Sequence, residues 1–164
     1  MGMEIERRFL VRSEDWRGLA EGAWLKQGYM SVEPERTVRV RISGEQAWLT
    51  LKSLVSAVSR HEFEYPVPLA DAETMLATMC PLVVEKKRHR IRLGPHLWEV
   101  DEFFGDNAGL VLAEVELQSE TEAYDPPAWL GAEVTQDSRY TNAWLAGHPY
   151  SSWSDADRAV VRQN

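Results

Sequence analysis

The sequence predicts a mainly β protein of the α+β class: an eight-stranded antiparallel barrel closed into a tunnel, with a polar lumen and a few flanking helices. Three observations carry this. Eight segments alternate apolar and polar residues with period two, the spacing that puts successive side chains on opposite faces of a strand. Short turns join most of them, and short turns allow only antiparallel pairing. One face of strand after strand, to residue 116, carries two or three charged groups, often of one sign. Like charges side by side are unfavourable unless ions or opposite charges lie between them, as they would inside a barrel.

The elements follow in order. Residues 3–12, opening E-I-E-R-R-F-L-V, form the first strand, and Ser13 caps a short helix over S-E-D-W-R-G-L-A. Strands follow at 24–32 and 37–43, separated by a turn at Pro34. Gly44-Glu45 makes a hairpin turn into a strand at 47–54. The strand at 59–67 is stopped by Pro66 and Pro68. Leu69, Met75, Leu76 and Met79 stand near helical spacing and predict a helix over 69–79, terminated by Pro81. Strands resume at 83–93, 96–104 and 110–118, with turns at Gly94-Pro95 and Gly105-Asp106-Asn107. A helix is expected over 139–147, ending at Gly147. Residues 1–148 read as one domain, and 149–164 as a tail that is either a short helix or frayed.

A chain of 164 residues with 44% hydrophobic and 27% charged residues is ordinary for one globular domain. Its net charge of −8 argues against a nucleic-acid partner. The basic residues cluster all the same, as in Lys86-Lys87-Arg88-His89-Arg90, which points to a local anion site in an acidic protein. One cysteine, Cys80, excludes an internal disulfide or a cysteine-rich metal site, and its apolar neighbours make it a buried packing residue. No signal peptide or membrane-spanning run is visible, so the cytoplasm is the expected compartment. His61 and His89 fall on the outer face, where surface or packing roles are expected, and the tryptophans read as packing residues.

Phasing the strands groups the charges. Glu4, Glu6 and Arg8 share one face, as do Arg39 with Arg41, Thr50 with Lys52, and Arg60 with Glu62 and Glu64. The same holds for Lys86, Arg88 and Arg90, for Glu99 and Asp101, and for Glu114 and Glu116. Facing one another across a barrel, the carboxylates would hold a divalent cation and the basic groups a polyanion. Dense hard oxygen donors suit Mg2+ or Mn2+. Guanidinium forks and lysine suit phosphate oxygens.

These segments together resemble the CYTH, or triphosphate tunnel metalloenzyme, superfamily. E-I-E-R-R-F-L-V is similar to its opening Glu-x-Glu-x-Lys signature. Further likeness runs through Q-G-Y at 27–29, R-V-R at 39–41, L-T-L-K at 49–52, R-H-E-F-E-Y-P at 60–66, E-K-K-R-H-R-I at 85–91, W-E-V-D-E-F at 98–103, L-A-E-V-E-L at 112–117 and D-S-R-Y-T-N-A-W-L-A at 137–146. The resemblance implies a tunnel, a divalent metal and a substrate bearing a triphosphate. It places Glu4, Glu6, Glu114 and Glu116 at the metal; Asp101 is a further metal candidate, and Asp101 and Glu99 are each open to pairing with a luminal arginine instead. It gives Glu62 and Glu64 a second metal or the attacking water. It assigns Arg39, Arg41, Lys52, Lys86, Arg88 and Arg90 to the phosphates. Arg8 stands where the signature has lysine, so a planar fork replaces a compact ammonium beside the reacting phosphate.

The reading that follows is metal-dependent hydrolysis of a linear triphosphate. Inorganic tripolyphosphate is favoured because the chain is short and shows no obvious nucleoside-binding insertion. Thiamine triphosphatase, adenylate cyclase and a non-catalytic binder of polyphosphate or an organic phosphate are the rival readings. No nucleic-acid or membrane partner is expected, and a homodimer is left open.

Overall fold

The computed structural model describes residues 2–162. Nine strands form one sheet: β1 (Gly2–Val11), β2 (Gly22–Glu33), β3 (Arg36–Ser43), β4 (Gln46–Leu54), β5 (Ser59–Val67), β6 (Val83–Leu93), β7 (His96–Phe103), β8 (Val111–Glu116) and β9 (Leu130–Glu133). Every pairing is antiparallel, in the order β5-β4-β3-β2-β6-β7-β8-β1-β9, and a β1–β5 pairing closes the first eight into a ring.

β1 carries this closure. It pairs with β8 over Glu6–Leu10 along one edge. On the other edge it pairs first with β5 over Gly2–Ile5 and then with β9 at Phe9 and Val11. Between the two partners the β1 backbone is served locally. The Glu6 amide donates to the Val58 carbonyl at 3.1 Å, and the Arg8 amide donates to the Thr135 hydroxyl at 3.0 Å.

Period-two alternation gives each strand a lumen face and an outer face. Because the lumen is charged, the apolar core lies outside the wall, beneath covering segments. Phe9, Trp98, Val115 and Leu117 pack under Trp16, Trp129 and Leu130. Val40, Ala47 and Leu49 pack under helix α1 (Leu69–Thr78) through Ala72, Leu76 and Cys80. A third cluster forms where the lumen face itself turns apolar. Arg8 is followed on its face by Leu10, Glu114 by Leu112, Lys86 by Val84 and Asp101 by Phe103. These apolar residues pack against Tyr140 and against Leu145 of helix α2 (Asn142–Gly147).

Three expectations need correction. The stretch expected as a helix after Ser13 is a pair of tight turns, with Arg17 N–H on the Glu14 carbonyl and Leu19 N–H on that of Trp16. Gly18 has φ of +82°, which ends any helix there, and Trp16 is drawn into the core. The helix expected over 139–147 is split into a 3-10 turn at Ser138–Tyr140 and α2, because Thr141 stays extended and caps α2 by accepting from the Trp144 amide at 3.1 Å. β9 was not expected at all. Its four residues, L-G-A-E, are too short to show alternation, and Gly131 is needed because a Cβ there would sit 3.2 Å from the Leu10 carbonyl oxygen.

The tail contains helix α3 (Asp155–Arg162), opened by a reciprocal box in which Ser154 and Asp157 bond each other's backbone amides. Trp153 packs on Tyr140 and Tyr150, so the tail lies against the barrel.

Gly28 lets α1 approach β2, since a Cβ there would lie 2.7 Å from Cys80 Cβ and 2.8 Å from Leu76 Cδ2. Gly28→Ala should therefore lower stability by about 1–3 kcal/mol through overpacking, read as a lower midpoint in urea unfolding with an unchanged slope.

Candidate active site

The lumen encloses a cavity of about 220 Å³ lined almost wholly by polar side chains. The strand order divides it into two walls. β8, β1 and β5 are neighbours in the ring and supply Glu114, Glu116, Glu4, Glu6, Glu62 and Glu64. β3, β2 and β6 are neighbours on the other side and supply Arg39, Arg41, Lys86 and Arg88, with Tyr29 between them. Register fixes the meeting of distant segments. Glu6 lies opposite Glu116, Arg8 opposite Glu114, and Lys52 opposite Glu62.

The acidic wall is strained by its own charge. Burial raises the carboxyl of Glu6 well above the ordinary range, and Glu114 and Glu4 push it the same way. Burial also raises Glu4, against the pull of Lys52 at 2.9 Å, and raises Glu116, with help from Glu4 and Glu99. Two acids escape. For Glu114 burial is outweighed by Arg8 at 3.5 Å and a hydrogen bond with Glu6, which hold it at about 2. For Glu62 burial is outweighed by a hydrogen bond with Glu4 and by the charges of Lys52 and Arg39. Burial and mutual repulsion thus act together on Glu4, Glu6 and Glu116, which favours their neutral forms over their charged ones.

The basic wall has the opposite condition. Burial pushes Arg41 down to about 9, with Arg39 and Arg88 adding repulsion. Burial likewise pushes Lys86 down to about 7, against Asp101 and with Arg88 and Arg41. Arg39 Nε is buried without a hydrogen-bond partner among the described residues.

Eleven of the fourteen site residues expected from sequence sit directly on these walls or on β4 between them, and Arg8 makes a twelfth, only 4% exposed, donating to Glu6 at 3.2 Å and Glu114 at 3.5 Å. Two do not line the cavity. Asp101 was expected at the metal, but its two oxygens take Arg88 in a fork at 2.8 Å each, and Lys86 adds a bond at 2.7 Å. Arg88 keeps Asp101 ionised far below the usual carboxylate range, so Lys86 is the member of the pair that burial weakens. Arg90 was expected on the phosphates, but its side chain is 51% exposed at the rim and pairs with Glu99 at 3.2 Å.

Sequence reasoning missed several positioning groups. Gln27 is fully buried, accepts from Arg41 Nε at 2.8 Å, and donates to Asn142 at 3.2 Å. Asn142 also accepts from Lys86 Nζ at 2.8 Å, joining α2 to the basic wall. Thr50 accepts from Arg39 at 3.1 Å and donates to Glu64 at 2.8 Å, bridging a pair whose charges also meet directly at 3.5 Å. Gln27 was legible in its lumen phase; Asn142, 56 residues from Lys86, was not.

The CYTH domain matches residues 2–142. This chain belongs to the CYTH family. An inorganic triphosphatase of Acetivibrio thermocellus is 40% identical to it over 156 residues, covering 94% of this chain and 100% of that protein. An inorganic triphosphatase of Nitrosomonas europaea is 37% identical over 147 residues, covering 87% of this chain and 96% of that one. The crystal structure of an inorganic triphosphatase superposes with a TM-score of 0.64 at 36% identity, over 87% of this chain and 93% of that chain.

Two outcomes are expected of this CYTH lumen. Asp101→Asn leaves Arg88 and Lys86 buried without their carboxylate and should cost about 3–5 kcal/mol in urea unfolding of the metal-free protein. Glu6→Gln should instead stabilise the metal-free protein at neutral pH. A carboxyl raised on folding favours the fold below its unfolded value and loses that contribution as pH rises through its folded value. The advantage of Glu6→Gln in thermal unfolding should therefore grow between pH 5 and pH 8, and an advantage that shrank would refute the repulsion.

Proposed function

We propose that this chain is a divalent-metal-dependent triphosphatase that hydrolyses inorganic tripolyphosphate to pyrophosphate and phosphate. The observation that carries the reading is the pair of opposed walls, one needing a cation and the other an anion, within a cavity sized for a compact polyanion. Relatives that align along nearly the whole chain are inorganic triphosphatases, which supports the same reading. A cavity of about 220 Å³ with little apolar lining favours a bare phosphate chain over a nucleoside or thiamine carrier.

Among the described residues no three acidic, histidine or cysteine side chains converge as a ready-made metal cluster. The acids are engaged pairwise with Lys52, Arg8 and one another. The chemistry of the donors nevertheless fits a hard cation, because Glu4, Glu6, Glu114 and Glu116 offer only carboxylate oxygen and three of the four are raised by mutual repulsion and burial. Mg2+ or Mn2+ held by these four would neutralise phosphate charge and make the terminal phosphorus more electrophilic.

The protein's own groups do the rest. Arg39, Arg41, Lys86 and Arg88 take the phosphate oxygens and orient the chain. Lys52 stands between the walls, bonded to Glu4, and Arg8 sits between Glu6 and Glu114, where it reaches the terminal phosphate. Water attacks the terminal phosphorus, and its proton passes to Glu62 or Glu64. The bridging P–O bond breaks with its electron pair on pyrophosphate, whose charge the basic wall stabilises.

Phosphate release from tripolyphosphate, thiamine triphosphate and ATP with Mg2+ or Mn2+ tests the reading. Turnover confined to tripolyphosphate is expected, whereas cyclic AMP from ATP, or tight binding without product, overturns it. Arg8→Lys should keep or raise the rate. Arg8→Ala should lower it about ten- to a hundredfold, because a charge-assisted contact worth about 1.5–3 kcal/mol is lost near the reacting phosphate.

A further inference from the structure

Seven cationic side chains line the cavity, and six are committed. Arg8 bonds Glu6 and Glu114, Arg39 bonds Thr50, Arg41 bonds Gln27, Lys52 bonds Glu4, Lys86 bonds Asp101 and Asn142, and Arg88 bonds Asp101. The seventh is Arg60 on β5. It lies opposite Glu4 in the β1–β5 register and shares its strand face with Glu62 and Glu64. Its guanidinium nevertheless makes no ion pair or hydrogen bond with the described residues. Arg60 is only partly exposed, and it reaches both the main cavity and a second opening. That opening lies where β1 passes from β5 to β9, is lined by Glu6, Arg8, Ala57, Val58 and Thr135 as well, and holds about 10 Å³, room for one water.

We propose that Arg60 is a substrate-capture residue, a lumen cation that takes an oxygen of the phosphate chain without giving up a partner; this rests on the triphosphatase reading above. An approaching polyanion meets an acidic wall, and a protein of net charge −8 repels it further. Lys52, Arg8 and Arg88 each hold a carboxylate contact that a phosphate must displace or share. Arg60 has none to give up, so its full hydrogen-bonding fork is available at no cost in broken pairs. Its position among Glu4, Glu62 and Glu64 sets it to offset the charge of the wall against which the chain must come to rest. Such a contact is made in the bound substrate and the transition state alike, so it lowers KM and leaves kcat nearly unchanged.

The test compares Arg60→Gln and Arg60→Lys with the parent, by steady-state phosphate release from tripolyphosphate and by calorimetric binding of tripolyphosphate to the metal-free proteins. Arg60→Gln should raise KM about tenfold, weaken metal-free binding by a similar factor and keep kcat within about twofold. Arg60→Lys should recover most of the loss, and the salt dependence of kcat/KM should be shallower in Arg60→Gln than in the parent. Unchanged KM and binding in Arg60→Gln would make Arg60 a solvated bystander and overturn the proposal. A fall in kcat at constant KM would overturn it too, by placing Arg60 in the chemical step. A parent that binds and turns over tripolyphosphate while Arg60→Gln matches it refutes capture alone. A parent that does neither refutes the triphosphatase reading and this inference together.

Discussion

Closure of the ring through β1 is the constraint on which the rest of the molecule depends. Glu4 and Glu6 lie at the start of the chain, Glu62 and Glu64 near its middle, and Glu114 and Glu116 well beyond. Only a strand that bonds β5 and β8 at once brings the three pairs onto one wall. The same strand delivers Arg8 into the acids it compensates. An open sheet with the same alternation would leave these carboxylates in water, with ordinary affinities for protons. Closing the ring buries them and makes each charge felt by its neighbours.

A charged lumen turns the usual arrangement of a barrel inside out. The wall cannot rest on its interior, so its outer face supplies the core and must be covered. The loops around Trp16 and Trp129, helix α1 and the segment from Tyr140 onward do this work. That explains why a chain of this size keeps so many tryptophans in connecting segments. Trp16 and Trp129 are 1% and 4% exposed although neither lies in a strand.

Period two made most of this legible in the sequence. The alternation in T-V-R-V-R-I-S and A-W-L-T-L-K assigned Arg39, Arg41 and Lys52 to the face they occupy, because strand phase is a local property. What escaped depends on tertiary contact. Asp101 has the phase of a lumen acid, which leaves a metal and a luminal arginine both open as its partner; Arg88 and Lys86 on the neighbouring strand take both its oxygens, and the share of Lys86 has no local signal. Arg90 has the phase of Arg88 but lies one step nearer the rim. β9 carries too few residues for a period, and the Trp16 turn is decided by Gly18 and by burial of the indole. Asn142 reaches Lys86 only because α2 is seated over the apolar end of the lumen.

That apolar stretch divides the lumen lengthwise. Leu10, Val84, Phe103 and Leu112 continue the lumen face beyond the charged residues, and Tyr140 and Leu145 pack against them. Beyond Arg8, Lys86 and Asp101 the lumen face offers no further charge on these strands. The length of lumen in which an ion can be neutralised is therefore set by where the side chains change from charged to apolar, and not by the length of the strands that form the wall.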